Sequence, residues 1–271
     1  MTGQESPVQT SQADLHVEIM GKSGTPLLMM HGWGQNLESL RALGELLSKH
    51  AQVHLIDLPG FGRSPAPVED WDTIGYAERI HRYLQDNSIE QADLLGHSFG
   101  GRVSMRLASH HPQCVRSITL INSGGLRRAG KPTLKSKVVR VLGKTLKQMD
   151  KSVGTKSYER WFIPRFASTD YKNAGRLRNI LVKTVNEDVT EDAGKITAPV
   201  FLLWGELDTE TPLEMGQRLH SIIRNSKLVV LPGKDHFPFL GDSAHLCARY
   251  IIEFLKSLTP NQPACASRED A

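Results

Sequence analysis

The stretch Asp93-Leu94-Leu95-Gly96-His97-Ser98-Phe99-Gly100-Gly101-Arg102-Val103 opens as a buried strand and then breaks into glycines on both sides of one serine. Its continuation, "RVSMRLASHH", has apolar or small side chains at Val103, Met105, Leu107 and Ala108, which suits a helix. A tight turn from strand to helix needs small residues where two backbones nearly touch, and glycine also tolerates the dihedrals of such a turn. Two readings compete. The glycines cradle an anion at the helix N-terminus, or they let Ser98 stand on a strained corner as a nucleophile. A plainer role for Ser98 is to cap the helix.

The anion reading lacks its chemistry. Gly96 to Val103 spells G-x-x-x-x-G-R-V, without the lysine and hydroxyl of a phosphate loop. Gly60-Phe61-Gly62 meets Pro65, and Gly32-Trp33-Gly34 meets Leu37, where a dinucleotide fingerprint needs its third glycine. The nucleophile reading makes a demand that can be checked. A serine hydroxyl needs a base, and the base needs an orienting third group. On such an elbow these partners come in the order acid, then histidine, after later strands.

Short apolar runs supply those strands: "PLLMM" (26–30), "VHLID" (53–57), "ADLL" (92–95), "SITLI" (117–121), "VFLLW" (200–204) and "KLVVL" (227–231). Runs of this kind fit strands buried on both faces of a parallel sheet. Ahead of them Leu15, Val17 and Ile19 alternate with polar residues as in a half-exposed strand. Helical patterns lie between most runs, so the fold class is α/β, a doubly wound and mostly parallel sheet. From residue 124 to 193 the alternation stops. "LKSKVVRVLGKTLKQMDKSV" sets Leu134, Val138, Leu142, Leu146 and Met149 on one helical face, "RLRNILVKTV" is also helical, and Tyr158, Trp161, Phe162, Phe166 and Tyr171 lie between them. The expected organisation is a core of residues 14–123 and 194–258, a helical insertion at 124–193, and mobile tails at 1–13 and 259–271.

The run 200–204 continues into Gly205-Glu206-Leu207-Asp208-Thr209-Glu210-Thr211-Pro212, and the run 227–231 into Pro232-Gly233-Lys234-Asp235-His236-Phe237-Pro238. Candidate acids are therefore Asp208, Glu206 and Glu210, with the spacing to Pro212 favouring Asp208. The candidate base is His236, with His245 on the last helical pattern as its rival. With these residues in place the chain resembles the α/β-hydrolase superfamily, in its serine-nucleophile carboxylesterase-like branch, over roughly residues 15–258. Gly96-His97-Ser98-Phe99-Gly100 matches the G-x-S-x-G elbow, and His31-Gly32-Trp33-Gly34 the H-G segment. Asp57-Leu58-Pro59-Gly60-Phe61-Gly62-Arg63-Ser64 matches the D-x-P-G-x-G-x-S loop. Asp235 stands where the family often has glycine, and it either acts on His236 or points into water.

The resemblance implies Ser98 as nucleophile, His236 as base and Asp208 as orienting acid, with the backbone N–H groups of Trp33 and Phe99 as oxyanion donors. It implies a helical cap inserted after the sixth strand, and no cofactor. Trp33, Phe61, Phe99 and Phe237, with Trp161 and Phe162 from the cap, are expected to line an apolar pocket; for the cap aromatics, packing onto the body is an equal expectation. His31, Asp57 and Arg63 are expected to shape loops, and His97 to be structural. Serine at the elbow argues against dehalogenases and epoxide hydrolases, which carry aspartate there. Carboxylesterases, thioesterases, carbon–carbon hydrolases and perhydrolases remain, with ester hydrolysis preferred, as does a ligand-binding protein on the same scaffold.

Composition sets the outer limits. The chain has 271 residues, 39% of them apolar and 23% charged, which fits a globular protein. No run is long enough to span a membrane and no signal peptide is evident. Three widely spaced cysteines, Cys114, Cys247 and Cys265, read as reduced thiols in a cytoplasmic protein. No HExxH or Cys/His cluster indicates a metal. The net charge of +4 is local: Arg127 to Met149 holds eight basic residues and no acidic one, which leaves 25 basic against 29 acidic elsewhere. That run is either a solvated helix face or a surface for an acidic substrate or carrier protein. Nothing accompanies it that would read nucleic acid.

Overall fold

Seven strands form one sheet: β1 (Val17–Met20), β2 (Pro26–Met30), β3 (Gln52–Ile56), β4 (Ala92–His97), β5 (Val115–Ile121), β6 (Val200–Gly205) and β7 (Ser226–Leu231). The computed structural model describes residues 15–127 and 134–258, and their side chains except those of 134–140. Both tails expected from the sequence, and Arg128 and Lys131 of the basic run, lie outside the described residues. The strand order is β1-β3-β2-β4-β5-β6-β7. Only β1 runs antiparallel, pairing Val17 with Ile56 on β3; the other five pairings are parallel.

The continuous apolar runs are explained by burial on two faces. Leu28 and Met30 of β2 belong to one core cluster and Leu27 and Met29 to the other; on β6, Val200, Leu202 and Trp204 face the first and Phe201 and Leu203 the second. Each such side chain, fully buried, contributes about 1.5–3 kcal/mol of transfer free energy. Helices α1 (Arg41–Leu47) and α10 (Ser243–Ser257) cover the second cluster, while α2 (Thr73–Asp86) and α3 (Phe99–His110) cover the first. The edges depart from the sequence expectation. Strand β7 is mostly half-buried, because β6 alone flanks it, and Ile19 on the opposite edge strand is exposed although Leu15 and Val17 pack inward.

Between β5 and β6 the described residues hold no strand. They form α4 (Leu134–Val153), a π-helical turn Tyr158–Phe162, α5 (Ile163–Phe166), α6 (Thr169–Asn173), α7 (Arg178–Asn186) and α8 (Thr190–Lys195). This corrects the expected insertion point: the helical segment follows the fifth strand, since the alternating segment at 15–19 and the four apolar runs ahead of it make five strands and no sixth among the described residues. Met149 of α4 is exposed rather than on the inward face, which at that end carries Leu142, Gly143 and Leu146; Leu134 and Val138 are outside the described side chains. A last helix, α9 (Leu213–Ile222), joins β6 to β7.

The winding reverses at β2. From there the chain passes through α1 to β3 on one side and later through α2 to β4 on the other. The crevice beyond the carboxyl ends of β2 and β4 is thus the switch point, where open α/β sheets bind ligands.

Candidate active site

Ser98 sits at this switch point, between β4 and α3, with φ +48 and ψ −105. A non-glycine residue in this region stores backbone strain of about 1–3 kcal/mol. The flanking glycines make the turn possible. A Cβ on Gly96 would stand 2.5 Å from the Gly100 carbonyl oxygen, and one on Gly100 would strike the Met30 carbonyl oxygen. Ser98 occupies the N-cap position of α3, yet its hydroxyl makes no capping hydrogen bond. It is half-buried and lines two small cavities of about 150 and 130 Å³.

Asp208 and His236 meet beside it. The His236 Nδ1–H donates to Asp208 Oδ2 at 2.8 Å, and both residues are buried. Asp208 Oδ1 accepts from the N–H groups of Glu210 (2.8 Å) and Thr211 (2.9 Å), and its Oδ2 from the Thr211 hydroxyl (2.7 Å). Burial pushes the Asp208 carboxyl up, but the hydrogen bonds from His236 and Thr211 outweigh it and hold the group below its usual value. Among the described residues Ser98 Oγ has no hydrogen bond to His236. The His236 Nε2 lies instead 3.5 Å from Glu210 Oε2. Ser98, His236 and Glu210 line the same 130 Å³ cavity.

The other candidates sort clearly. Glu206 accepts from the Gly233 N–H and does not reach the imidazole, while His245 is exposed on α10. Asp235 is exposed and accepts from the Phe237 N–H, so it points into water. Trp33 lies against Phe61 and Phe99, edge to face at 5.0 and 5.3 Å, and lines both cavities. Phe99 lines the larger one and Phe237 the smaller, whereas Phe61 is buried behind Trp33. No bond from the N–H of Trp33 or Phe99 is found among the described residues, as expected for Phe99 in a first helical turn. Trp161 and Phe162 are not brought to the cavities. Trp161 is 43% exposed against Phe166 and Arg165, and Phe162 is buried between Tyr158, Phe166 and Gly143. These aromatics pack the helical segment upon itself.

His31 and Asp57 hold loops. The buried His31 donates from Nδ1 to the Gly32 carbonyl and accepts the Leu58 N–H at Nε2; burial lowers it to about 4, so it stays neutral. Asp57 accepts from the N–H groups of Leu37 and Arg63 and from His16; the Arg63 side chain is exposed.

Two residues, Asn122 and Asp170, shape the site without a sequence signal, and His97 has the structural role expected of it. Asn122, at φ +43, donates from Nδ2 to the Asp235 carbonyl (2.7 Å) and accepts the Gly205 N–H at Oδ1 (2.8 Å), and its carbonyl lies 3.0 Å from the Thr211 hydroxyl, whose one proton it shares with Asp208. His97 donates from Nε2 to the His236 carbonyl at 2.9 Å, and burial lowers it to about 3. Asp170 of α6 lines the cavities from above, its carboxyl raised by burial. These depend on contacts between distant parts of the chain, which no local spacing reveals. A wider cleft of about 600 Å³ continues outward between Arg102, Arg127, Asp170 and Glu210.

A positive-φ serine after a parallel strand, facing a buried carboxylate–imidazole pair at one sheet edge, defines the class. The chain belongs to the alpha/beta hydrolase fold family, matching it over residues 25–243, and is an enzyme of the hydrolase class. It is 26% identical over 259 residues to the pimeloyl-acyl-carrier-protein methyl ester esterase of Salmonella agona, covering 86% of this chain and 95% of that one. An esterase from Exiguobacterium antarcticum superposes with a TM-score of 0.70 at 25% identity, over 90% of this chain and 98% of that one. A meta-cleavage product hydrolase from Pseudomonas fluorescens shares the fold, with TM-score 0.67 and 18% identity over 90% and 95%. No helix among the described residues is long and apolar enough to cross a membrane.

Proposed function

We propose that this chain is a serine esterase cleaving carboxylic esters of small to medium acyl chains through an acyl-enzyme. The observation that carries the reading is the buried Asp208–His236 pair beside the cavity of an elbow serine whose hydroxyl leaves its helix uncapped. With Nδ1 donating to Asp208, the neutral imidazole presents its lone pair at Nε2. Ser98 Oγ attacks the ester carbonyl as Nε2 takes its proton, and the N–H groups of Trp33 and Phe99 hold the oxyanion. The imidazolium then protonates the leaving alcohol, and water activated by the same Nε2 hydrolyses the acyl-enzyme. This needs Nε2 to exchange Glu210 for Ser98 when substrate enters, and catalytic hydrogen bonds are commonly long before it does.

The helical segment 124–193 acts as the cap, with Asp170 and Thr184 over the pocket. A cavity of about 150 Å³ suits the reacting end of the acyl chain, and the wider cleft suits a longer remainder. Exposed Lys144, Lys147 and Lys151 on α4, with the name of the Salmonella relative, support an acyl group borne on an acidic carrier. Ser98, His236 and Asp208 would equally serve thioester or carbon–carbon hydrolysis or perhydrolysis, but a nucleophile, a base and two N–H donors already suffice for esters.

The test is incubation with a serine-directed phosphonate followed by mass measurement, beside a panel of p-nitrophenyl esters, thioesters and ring-cleavage dienones. Stoichiometric labelling at Ser98, ester turnover, and loss of both in a folded Ser98→Ala variant are expected. Absence of labelling points to a ligand-binding protein on the same scaffold, and turnover confined to dienones overturns the ester assignment.

A further inference from the structure

At the edge of the sheet opposite Ser98, two side chains of one helix meet a third from a distant part of the chain. Glu78 and His81 lie three positions apart on α2 and so share one face. His111 follows the last residue of α3, the helix that packs beside α2. The His81 and His111 rings stack at 3.6 Å with an interplanar angle of 21°, and His111 Nε2 lies 2.8 Å from Glu78 Oε1. One ligating atom from each residue falls within 4.8 Å of the others.

We propose that Glu78, His81 and His111 form a binding site for a divalent transition metal of the zinc type, pinning α2 to the far end of the nucleophile helix. Two imidazoles and one carboxylate are a ligand set suited to zinc, with water as the fourth ligand. Around zinc, at bond lengths near 2.0–2.2 Å, ligand atoms stand about 3.4 Å apart. To reach that spacing the two stacked rings must splay so that their lone pairs converge, and the half-exposed Glu78 must turn from His111 Nε2 towards the ion. A surface cavity of about 260 Å³ opens beside His81, with Gln85, Glu90 and Cys114 in its wall, so that ring borders solvent-accessible space. Helix α3 has 12 residues, which places about 18 Å of helix between this site and Ser98. The ion therefore acts on the scaffold and not on the reacting atoms.

The test uses the full chain stripped with a chelator and then titrated with Zn²⁺, with bound metal counted by equilibrium dialysis. One Zn²⁺ per chain and a rise in Tm of roughly 5–10 °C at a hundredfold excess over Kd are expected. Mg²⁺ and Ca²⁺ should produce neither. The His81→Ala/His111→Ala double variant should lose both effects. Glu78→Gln, which removes one ligand and leaves both imidazoles, should weaken binding by at least roughly 10–100-fold, since a ligand counts for no less than a group supporting one. His245→Ala serves as a control that should bind as the parent does. Absence of stoichiometric binding, or binding unchanged in both Glu78→Gln and the double variant, overturns the proposal.

Discussion

Glu210 faces the one atom of His236 that a general base must keep open. Its carboxylate lies 3.5 Å from Nε2 and is 60% exposed, so the contact is a solvated one worth about 0.2–1 kcal/mol. Replacing it with Gln removes a competitor of Ser98 for Nε2. Glu210→Gln should therefore leave kcat/KM on a neutral p-nitrophenyl ester at the parent's level or raise it by up to about fivefold. A clear fall would mean that Glu210 positions the imidazole and does not merely occupy it. Asp208 differs in kind, being buried with four donors on its two oxygens. Asp208→Asn leaves the packing in place but reverses the donor at Nδ1. The ring then presents an N–H where the serine needs an acceptor, and kcat should fall by about 10⁴ with little change in KM. Equal loss in KM would mean that the carboxylate binds substrate.

Among the elements, the loops after β5, β6 and β7 are held as one unit by Asn122. The close approach is visible at Gly205, where a Cβ would strike the carbonyl oxygens of Asp235 and Lys234. Removing the Asn122 side chain leaves the buried Gly205 N–H and the Asp235 carbonyl without their partner, at about 1–3 kcal/mol for each buried group. At φ +43 alanine adds a backbone penalty that glycine avoids. Asn122→Ala should therefore unfold at lower denaturant than Asn122→Gly, and both below the parent; the reverse order would place the backbone elsewhere. None of this was legible in the sequence. The apolar runs and the elbow glycines announced the strands and the turn, because those signals are local and periodic, while Asp208 and His236 were singled out by their places after later strands and by the family resemblance. Asn122 carries no such signal, and the elbow marked His97 as structural without naming its partner, since the partners of both lie 83 to 139 positions away. The aromatics of the helical segment misled for a related reason: a cluster of rings in sequence says that they pack, not what they pack against.

On the scale of the whole molecule, the two buried histidines beside the site make folding depend on pH. His31 and His97 are held near 4 and 3 in the folded chain, against 6.5 when exposed, because burial penalises the charged ring. Between those values the unfolded chain binds protons that the folded chain refuses. The stability they permit is fully present above about pH 6.5 and is lost as pH falls towards the folded values, at up to about 1.4 kcal/mol per pH unit for each ring. Asp208 and Asp57, both held below their usual values, act in the same direction only further down, once carboxylates begin to protonate. Urea midpoints should thus fall steadily from pH 7 to pH 4.5, before ordinary carboxylate titration is complete. His97→Gln isolates one share of that slope. The Gln amide can keep the hydrogen bond to the His236 carbonyl while having nothing to protonate, so its stability should fall less steeply over the same range, by up to about 1.4 kcal/mol per unit. An unchanged slope would mean that the folded chain admits a proton at His97, and that the ring is not sealed behind the nucleophile turn.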